Sequence, residues 1–324
     1  MWQNNRPMPD TKELFLSVVI PVYNEEGSVR ELHQELLTVL QSLHKPYEII
    51  FVDDGSTDGT LRQLRTLNPV RVFSFTRNFG KAQALQFGFR EARGRYIVTM
   101  DGDLQDNPKE IPSFIAQMEE SDMDLVCGWR KRRHDPIVKR LPSKIANALT
   151  QFFTRTSVHD MNCCFKIYKK HVAQSIELFG DMHRYIPALV SGMGYRIGEI
   201  VVEHRPRRHG VSKYGFVRFF NSAFDFITLI FLRNFTDRPM YLFGFLGTFV
   251  FTVGMGILSY LLYAKLFAGE LIGNRPLLML GTLLVLLGFQ SFSIGFIGEL
   301  VIRNGSTEKK IVAIKEHFAH EGLS

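Results

Sequence analysis

Apolar and polar positions alternate over the first two thirds of the chain in a way that predicts strands separated by helices. Five near-continuous apolar runs predict buried strands: Leu16–Ile20, Tyr47–Val52, Val70–Phe75, Tyr96–Met100 and Leu125–Gly128. We expect Pro21 to stop the first strand, and Ser28 with Glu31 predicts a capping box before the first helix. This order is typical of an α/β fold with a mostly parallel, doubly wound sheet.

The C-terminal third contains two long runs without a charged residue. Met240–Ala264 has 25 such residues and Pro276–Gly298 has 23. Because about 20 apolar residues span a bilayer, they predict transmembrane helices at about 240–264 and 276–298. The short connection makes them a hairpin, and more basic residues flank the hairpin than lie in its loop, which places both termini in the cytoplasm.

These patterns divide the chain into four parts. Residues 1–213 are predicted to form the cytoplasmic domain, and residues 237–303 hold the two transmembrane helices. Residues 214–236 are apolar with scattered polar side chains, which predicts amphipathic helices in the membrane interface. A buried soluble helix is the alternative there. Residues 304–324 are predicted to be a cytoplasmic tail.

Composition and the absence of certain motifs limit the classes of function to consider. Lys and Arg number 39 against 32 acidic residues, an excess that suits an anionic membrane surface, a phosphorylated ligand or nucleic acid. No nucleic-acid-binding module is recognisable, so we expect no nucleic acid partner. The absence of G-x-G-x-x-G after the first strand, and of a P-loop, excludes the usual dinucleotide and nucleoside triphosphate sites. Three cysteines form no disulfide framework.

Polar clusters follow four of the predicted strands, with the sequences PVYNEE, DDGSTDGT, TRNFGK and DGDLQD. Ligands of doubly wound sheets bind at the carboxyl ends of the strands, which is where these clusters fall. If the chain stays extended, Asp101 and Asp103 point to one face, and with Gln105 they form an oxygen set suited to Mg²⁺ or Mn²⁺. A solvated acidic loop is the alternative, which the second acidic pair, Asp53 and Asp54, disfavours.

The segments VVIPVYNEE, EIIFVDDGSTDGT, RNFGKAQAL and DGDLQDNPKEIP, in this order, resemble the family 2 glycosyltransferases of GT-A fold. RPRRHGVSKYG, the two spans and GELVIR narrow the resemblance to the polyprenyl-phosphate glycosyltransferases. That group includes dolichol-phosphate mannosyltransferase, the bactoprenol glucosyltransferases and the aminoarabinose transferases of lipid A modification. The resemblance extends from about Ser17 to Arg303.

The resemblance implies a nucleotide-sugar donor bound at the strand ends by Pro21, Tyr23, Glu25, Asp53, Asp54, Lys81 and Asp101. The first three would line the base pocket, and the next two would reach the base and ribose. Lys81 would lie near the diphosphate or the sugar, and Asp101 would reach the nucleotide or the sugar. It also implies that Asp103 and Gln105, with Asp101, hold Mg²⁺ or Mn²⁺ against the diphosphate.

The implied acceptor is a polyprenyl phosphate. Its phosphate is largely dianionic at neutral pH and is already a nucleophile, so the site needs cations to hold it more than it needs a general base. The candidates that accompany Asp103 in catalysis are Arg130, Lys139, Ser143, Arg207 and Lys213. Basic groups of this kind also rest on anionic lipid headgroups, and the two roles are compatible.

Some positions depart from the family pattern. Lys139 and Lys166 stand where arginine is frequent, and a lysine offers a point charge instead of a bidentate fork. These departures indicate that the chain differs from the family in how it binds the acceptor or in which sugar it prefers. Cys163 and Cys164 replace smaller or polar residues, and we interpret them as packing residues.

The hypothesis is an integral membrane, metal-dependent, inverting glycosyltransferase of the bacterial inner membrane that moves one UDP-linked sugar to a polyprenyl phosphate. The resemblance also allows a homotetramer. A processive polysaccharide synthase is the rival enzyme, but Trp2 and Trp129 do not lie in its Q-x-x-R-W motif. A non-catalytic nucleotide-sugar-binding scaffold is the rival of another class.

Overall fold

The structure, a computed structural model, describes residues 14–131, 158–178, 180–206, 239–269, 271, 276–304 and 314–320. The chain divides into two compact units. One comprises Met1–Ile227 with Ile311–Ser324, and the other comprises Thr228–Lys310. The predicted interface segment, residues 214–236, lies outside the described residues, so its helices stay a prediction.

The first unit is built on strands that follow one another with helices between them. The strands are β1 Leu16–Val22, β2 Tyr47–Asp53, β3 Val70–Phe75, β4 Tyr96–Thr99, β5 Leu125–Trp129, β6 Lys166–Lys169, β7 Ile197–Val201 and β8 Ile314–His320. The helices of this unit are α1 Val29–Ser42, α2 Thr60–Leu64, α3 Lys81–Glu91, α4 Ile111–Glu120, α5 Lys170–Ser175 and α6 Ile186–Gly192. Short 3₁₀ turns, Pro108–Glu110 and Met182–Tyr185, precede α4 and α6.

Within the described residues the strands form one sheet in the order β7-β5-β6-β4-β1-β2-β3-β8. β6 is antiparallel to β4 and β5, β8 is antiparallel to β3, and the other neighbours are parallel. The predicted mostly parallel α/β sheet is therefore confirmed. The two antiparallel strands, β6 and β8, and the parallel edge strand β7 were not predicted.

Helices cover both faces of the sheet, as the continuous apolar strands require. Leu36 of α1 and Phe114 of α4 belong to one buried cluster with Val18 of β1. On the opposite face α3 approaches β1 so closely that a Cβ on Gly88 would lie 2.3 Å from Val19 Cγ1. Only glycine allows that approach, and it brings the start of α3 to the carboxyl end of the sheet.

Two details of β1 and α1 differ from the sequence-based expectation. β1 continues through Pro21 to Val22, because β4 pairs only as far as Val19 and leaves one side of β1 free of ladder bonds at that point. The predicted capping box is wrong: the Ser28 hydroxyl donates to Glu25, and its side chain makes no cap hydrogen bond to α1.

The second unit contains two long apolar helices, α7 Pro239–Phe267 and α8 Pro276–Asn304. Both are long and apolar enough to cross a membrane, and most of their large apolar side chains are exposed in the chain on its own. Both helices extend beyond the predicted spans, which were bounded by the ends of the uncharged runs. These helices indicate membrane anchoring.

Glycines form the contact between α7 and α8. A Cβ on Gly288 would lie 2.6 Å from the Phe251 amide nitrogen and 2.7 Å from the Gly247 carbonyl oxygen. A Cβ on Gly254 would lie 2.8 Å from the Val285 amide nitrogen. Small residues at such contacts let membrane helices approach backbone to backbone.

Strand β8 follows the apolar hairpin in sequence and pairs with β3 in the sheet of the first unit. Part of the predicted tail, residues 304–324, is therefore a strand. It covers the edge of β3, which would otherwise expose unpaired backbone groups.

Candidate active site

The side chains that follow β4 form a charge cluster around Asp101. The Lys81 ammonium, at the first residue of α3, donates a hydrogen bond to Asp101 Oδ1. Burial opposes both charges, but their mutual attraction outweighs it, so the pKa of Lys81 is raised and the pKa of Asp101 is lowered to about 2. Each side chain is 32% exposed, so the charged pair is within reach of a ligand.

Asp106 is hydrogen-bonded to the backbone of this cluster and was not among the predicted site residues. Its Oδ2 accepts a hydrogen bond from the Asp101 amide at 3.0 Å, and the residue is 4% exposed. Burial and then the neighbouring Asp101 charge raise the pKa of Asp106 to about 7. The only sequence signal for this role was its place in a short acidic run.

The backbone between Asp101 and Asp103 is a turn, so the expectation of an extended chain is wrong. β4 ends at Thr99, Gly102 and Asp103 lie in the turn, and Leu104 has a φ of 65°. A bulky residue with positive φ is strained, and such strain collects at functional sites. The turn places the Asp103 carboxylate beside Gln105, whose backbone N–H donates to Asp103 Oδ1 at 3.2 Å.

The donor atoms of this turn fit the chemistry of Mg²⁺ or Mn²⁺. Asp101, Asp103 and Gln105 carry the hard oxygen ligands that these ions prefer. In the described part of the chain no three His, Cys, Asp or Glu side chains form a group that could hold a metal. Two carboxylates and an amide suit an ion whose remaining ligands are phosphate oxygens and water.

Asp53 and Asp54 fix the loops beside the cluster. Asp53 Oδ1 accepts from the Ser56 amide at 3.1 Å and Oδ2 from the Ser74 hydroxyl at 2.8 Å. Asp54 accepts from the amides of Phe79 and Gly80, immediately before Lys81. Burial raises the pKa of Asp54 to about 6. Both residues are buried and hold loops in place; their predicted contact with base and ribose stays a prediction.

The predicted base pocket lies at the end of β1. Pro21 is buried in the strand, whereas Tyr23 and Glu25 are half-buried in the loop that follows. The Glu25 amide donates to the Thr60 hydroxyl at 2.8 Å, which ties this loop to the one after β2. The structure therefore brings these residues to the same edge of the sheet as Asp53.

Arg130 lies at the end of β5 and forms a bidentate ion pair that was not predicted. Its guanidinium donates to both oxygens of Asp160, at 2.8 and 3.1 Å, and Asp160 is almost completely buried. Glu199 of β7 accepts from the Asp160 amide at 3.0 Å. The pair fixes the direction of the Arg130 side chain. The other predicted acceptor residues, Lys139, Ser143, Arg207 and Lys213, lie outside the described residues.

A second group, which the sequence did not place in the site, lies beside Lys81. Lys166 of β6 and His183 line a small pocket with Thr99 and Asn162, next to the Lys81–Asp101 pair. Lys166 is 1% exposed. Its sequence signal was that it stands where arginine is frequent in the family.

Comparison with known proteins agrees with this geometry. The family described as "Glycosyl transferase family 2" matches residues 17–176. The chain is 41% identical to dodecaprenyl-phosphate galacturonate synthase of Rhizobium johnstonii, over 90% of this chain and 89% of the relative. It is 33% identical to undecaprenyl-phosphate 4-deoxy-4-formamido-L-arabinose transferase of Shewanella sediminis, over 89% of this chain and 87% of the relative.

Among solved structures, the chain is similar to glucosyl-3-phosphoglycerate synthase from Mycobacterium tuberculosis in complex with Mn²⁺, UDP and phosphoglyceric acid. The TM-score is 0.56 at 18% identity, covering 68% of this chain and 78% of that chain, which shows a shared fold. The same synthase has been solved with Mg²⁺ and UDP. The fold and the site at its strand ends define a GT-A-type glycosyltransferase. The chain belongs to glycosyltransferase family 2, and within it to the polyprenyl-phosphate glycosyltransferases.

Proposed function

We propose that the protein transfers one sugar from a UDP-linked donor to a polyprenyl phosphate at the cytoplasmic face of the bacterial inner membrane, with inversion at the anomeric carbon. The observation that carries the proposal is the charge cluster of Lys81, Asp101 and Asp106 at the carboxyl edge of a GT-A sheet. In this chain that sheet is joined to two apolar helices. The two relatives named above act on polyprenyl phosphates, which supports the same acceptor here.

The donor half of the site is assigned to the residues around the D-G-D turn. Asp101, Asp103 and Gln105 would hold Mg²⁺ or Mn²⁺, which supplies charge neutralisation at the donor diphosphate. Lys81 is positively charged and stands beside the same turn, so it would attract the diphosphate or orient the sugar. Asp53 and Asp54 hold the surrounding loops, and Pro21, Tyr23 and Glu25 would receive the base.

The acceptor half requires cations near a dianionic phosphate. Arg130 is already oriented by Asp160, and a guanidinium suits a phosphate because its donors match two oxygens at once. Lys139, Ser143, Arg207 and Lys213 are proposed to complete this half, and Asp103 to serve the transfer from the donor side. A phosphate monoester is nucleophilic without a strong base, so the site has to hold two anions close together.

The pairing of β8 supports the proposed membrane topology. β8 belongs to the same sheet as β1–β7, which supports placing the segment after the two apolar helices on the same side of the membrane as the catalytic domain. Two spans return a chain to the side from which it started. This supports an arrangement with both ends cytoplasmic, the side that the basic flanks favour.

Transfer to lipid is the direct test. Membranes containing the full chain are incubated with undecaprenyl phosphate, Mg²⁺ or Mn²⁺ and a panel of radiolabelled sugar nucleotides, and label in the extracted lipid is measured. We expect label in the lipid with at least one donor, and its loss with EDTA or in Asp103→Ala. Donor binding without lipid labelling would favour the scaffold alternative, and undiminished labelling in EDTA would contradict the metal assignment.

A further inference from the structure

The pocket beside the Lys81–Asp101 pair contains a buried cation, Lys166, that has no anionic partner among the described residues. Lys166 Nζ makes one hydrogen bond, a long one of 3.4 Å to the Met161 carbonyl oxygen. In the portion of the chain that the structure describes, no carboxylate lies within the 4.0 Å that defines an ion pair with Lys166. A buried ammonium is unfavourable unless an anion or several hydrogen bonds compensate it.

The neighbouring cations are all compensated, which sets Lys166 apart. Lys81 pairs with Asp101, Arg130 with Asp160, and Arg184 with Asp181 at 3.0 Å. Asp101, Asp160 and Asp181 are therefore engaged by other side chains, and Asp106 accepts from the Asp101 backbone amide. Lys166 is left without an ion-pair partner among the described residues, and a bound anion would supply one.

His183 provides a second polar atom on the same pocket. Its Nδ1 is buried and has no hydrogen-bond partner among the residues that the structure describes. Burial and then the nearby Lys81 charge hold the pKa of His183 well below its ordinary value, so the imidazole is neutral and can donate one hydrogen bond. Lys166 and His183 thus offer a positive charge and a neutral hydrogen-bond donor to the same bound ligand.

We propose that Lys166 and His183 bind the carboxylate of the transferred sugar, so that the donor is the nucleotide-linked form of a hexuronic acid. The inference rests on the proposed function, because it assigns the sugar of that reaction. A single unneutralised cation matches the single negative charge of a carboxylate, whereas a phosphate dianion would need more. The pocket also exposes the Asn162 amide, a group that can bind sugar hydroxyls.

Donor pairs that differ only at the sugar's sixth carbon test the assignment. The full chain, in membranes with undecaprenyl phosphate, is given UDP-galacturonate or UDP-galactose, and UDP-glucuronate or UDP-glucose. We expect wild-type kcat/KM for the preferred uronate to exceed that for its neutral partner by about 100-fold, the size expected for a buried charge pair. Lys166→Met should lose most of this preference, and Lys166→Arg should retain part of it.

Binding measurements distinguish a failure of this inference from a failure of the proposed function. Titration calorimetry of the purified chain should give similar UDP affinity for wild type and Lys166→Met, which shows that the variant is folded. Lys45→Met, at an exposed lysine before β2, is the matched control and should keep the uronate preference. Equal losses for uronate and neutral donors in Lys166→Met, or equal wild-type binding of both, would overturn the inference. A retained binding preference without any transfer to lipid would overturn the proposed function alone.

Discussion

Arg130 and Asp160 are separated by 30 residues in the sequence and form a bidentate ion pair, with Arg130 Nε 2.8 Å from Asp160 Oδ2 and Nη2 3.1 Å from Oδ1. The Arg130 side chain is 15% exposed and that of Asp160 is 2% exposed. Because one partner of a buried pair cannot be removed without leaving the other uncompensated, the two residues act as a unit.

We expect Arg130→Met and Asp160→Asn each to lower the free energy of unfolding by about 3 kcal/mol or more. The double variant should lose less than the sum, because the second change removes a charge already left unpaired. Chemical unfolding of the purified chain measures all three. Arg62→Met, in the exposed Arg62–Glu26 pair, is the control and should change stability by less than about 1 kcal/mol. Additive losses at Arg130 and Asp160 would contradict the account.

The Asp54 carboxylate makes stability depend on pH in an identifiable direction. Its pKa in the fold is about 6, above the ordinary value of 3.8, because of burial. The folded chain therefore binds this proton more tightly than the unfolded chain, so the contribution is full below about pH 4 and is lost as pH rises through 6. The rise in pKa corresponds to about 3 kcal/mol.

Asp54→Asn removes this dependence. Relative to wild type, the variant should gain stability as pH rises from about 4.5 to 7, measured as the difference in unfolding temperature at each pH. Asp58→Asn is an informative control, because burial at Asp58 is outweighed by hydrogen bonds from Thr60, which lower the pKa of this carboxyl. Asp58→Asn should therefore be destabilising at neutral pH, and that loss should shrink as pH falls. A pH-independent difference for Asp54→Asn would show that its pKa is not raised.

The glycine contact between α7 and α8 gives a paired prediction. In Gly288→Leu the new side chain meets backbone atoms of α7 at 2.6 and 2.7 Å, so the helices have to separate. We expect a loss of about 1–3 kcal/mol, seen as a lower unfolding temperature in detergent. A Cβ on Gly256 would meet no atom within 4 Å in the described part of the chain, so Gly256→Leu should leave that temperature nearly unchanged. Equal effects of the two changes would refute the contact.

Strong local patterns made much of the fold predictable. β1 to β5 follow near-continuous apolar runs, and the polar clusters after them indicated that Asp53, Asp101 and Asp103 lie at the carboxyl ends of the strands. β6, β7 and β8 were missed because each contains charged or polar residues that interrupt the apolar pattern, so pairing with neighbouring strands decides their conformation. Pro21 remained in a strand for the same reason: only the partner strands determine where it is tolerated.

The partners within the site were less predictable, because they depend on contacts distant in sequence. Arg130 was predicted as a phosphate ligand, but its pairing with Asp160 needs the segment before β6 to lie against the end of β5. Asp54 was predicted to contact the nucleotide. Its hydrogen bond from the Gly80 amide joins residues that are distant in sequence, so the sequence did not indicate it. Lys166 was noticed as a departure from the family, although nothing in the sequence placed it beside Lys81.

The mass of the lipid product tests the central claim most directly. The full chain is incubated with undecaprenyl phosphate, Mg²⁺ and the sugar nucleotide that labels the lipid, and the extract is analysed by mass spectrometry. The account predicts one species, the polyprenyl phosphate increased by a single glycosyl unit, absent in Asp103→Ala. A ladder of products with many sugar units, or lipid phosphate that stays unmodified while donor is bound, would contradict it.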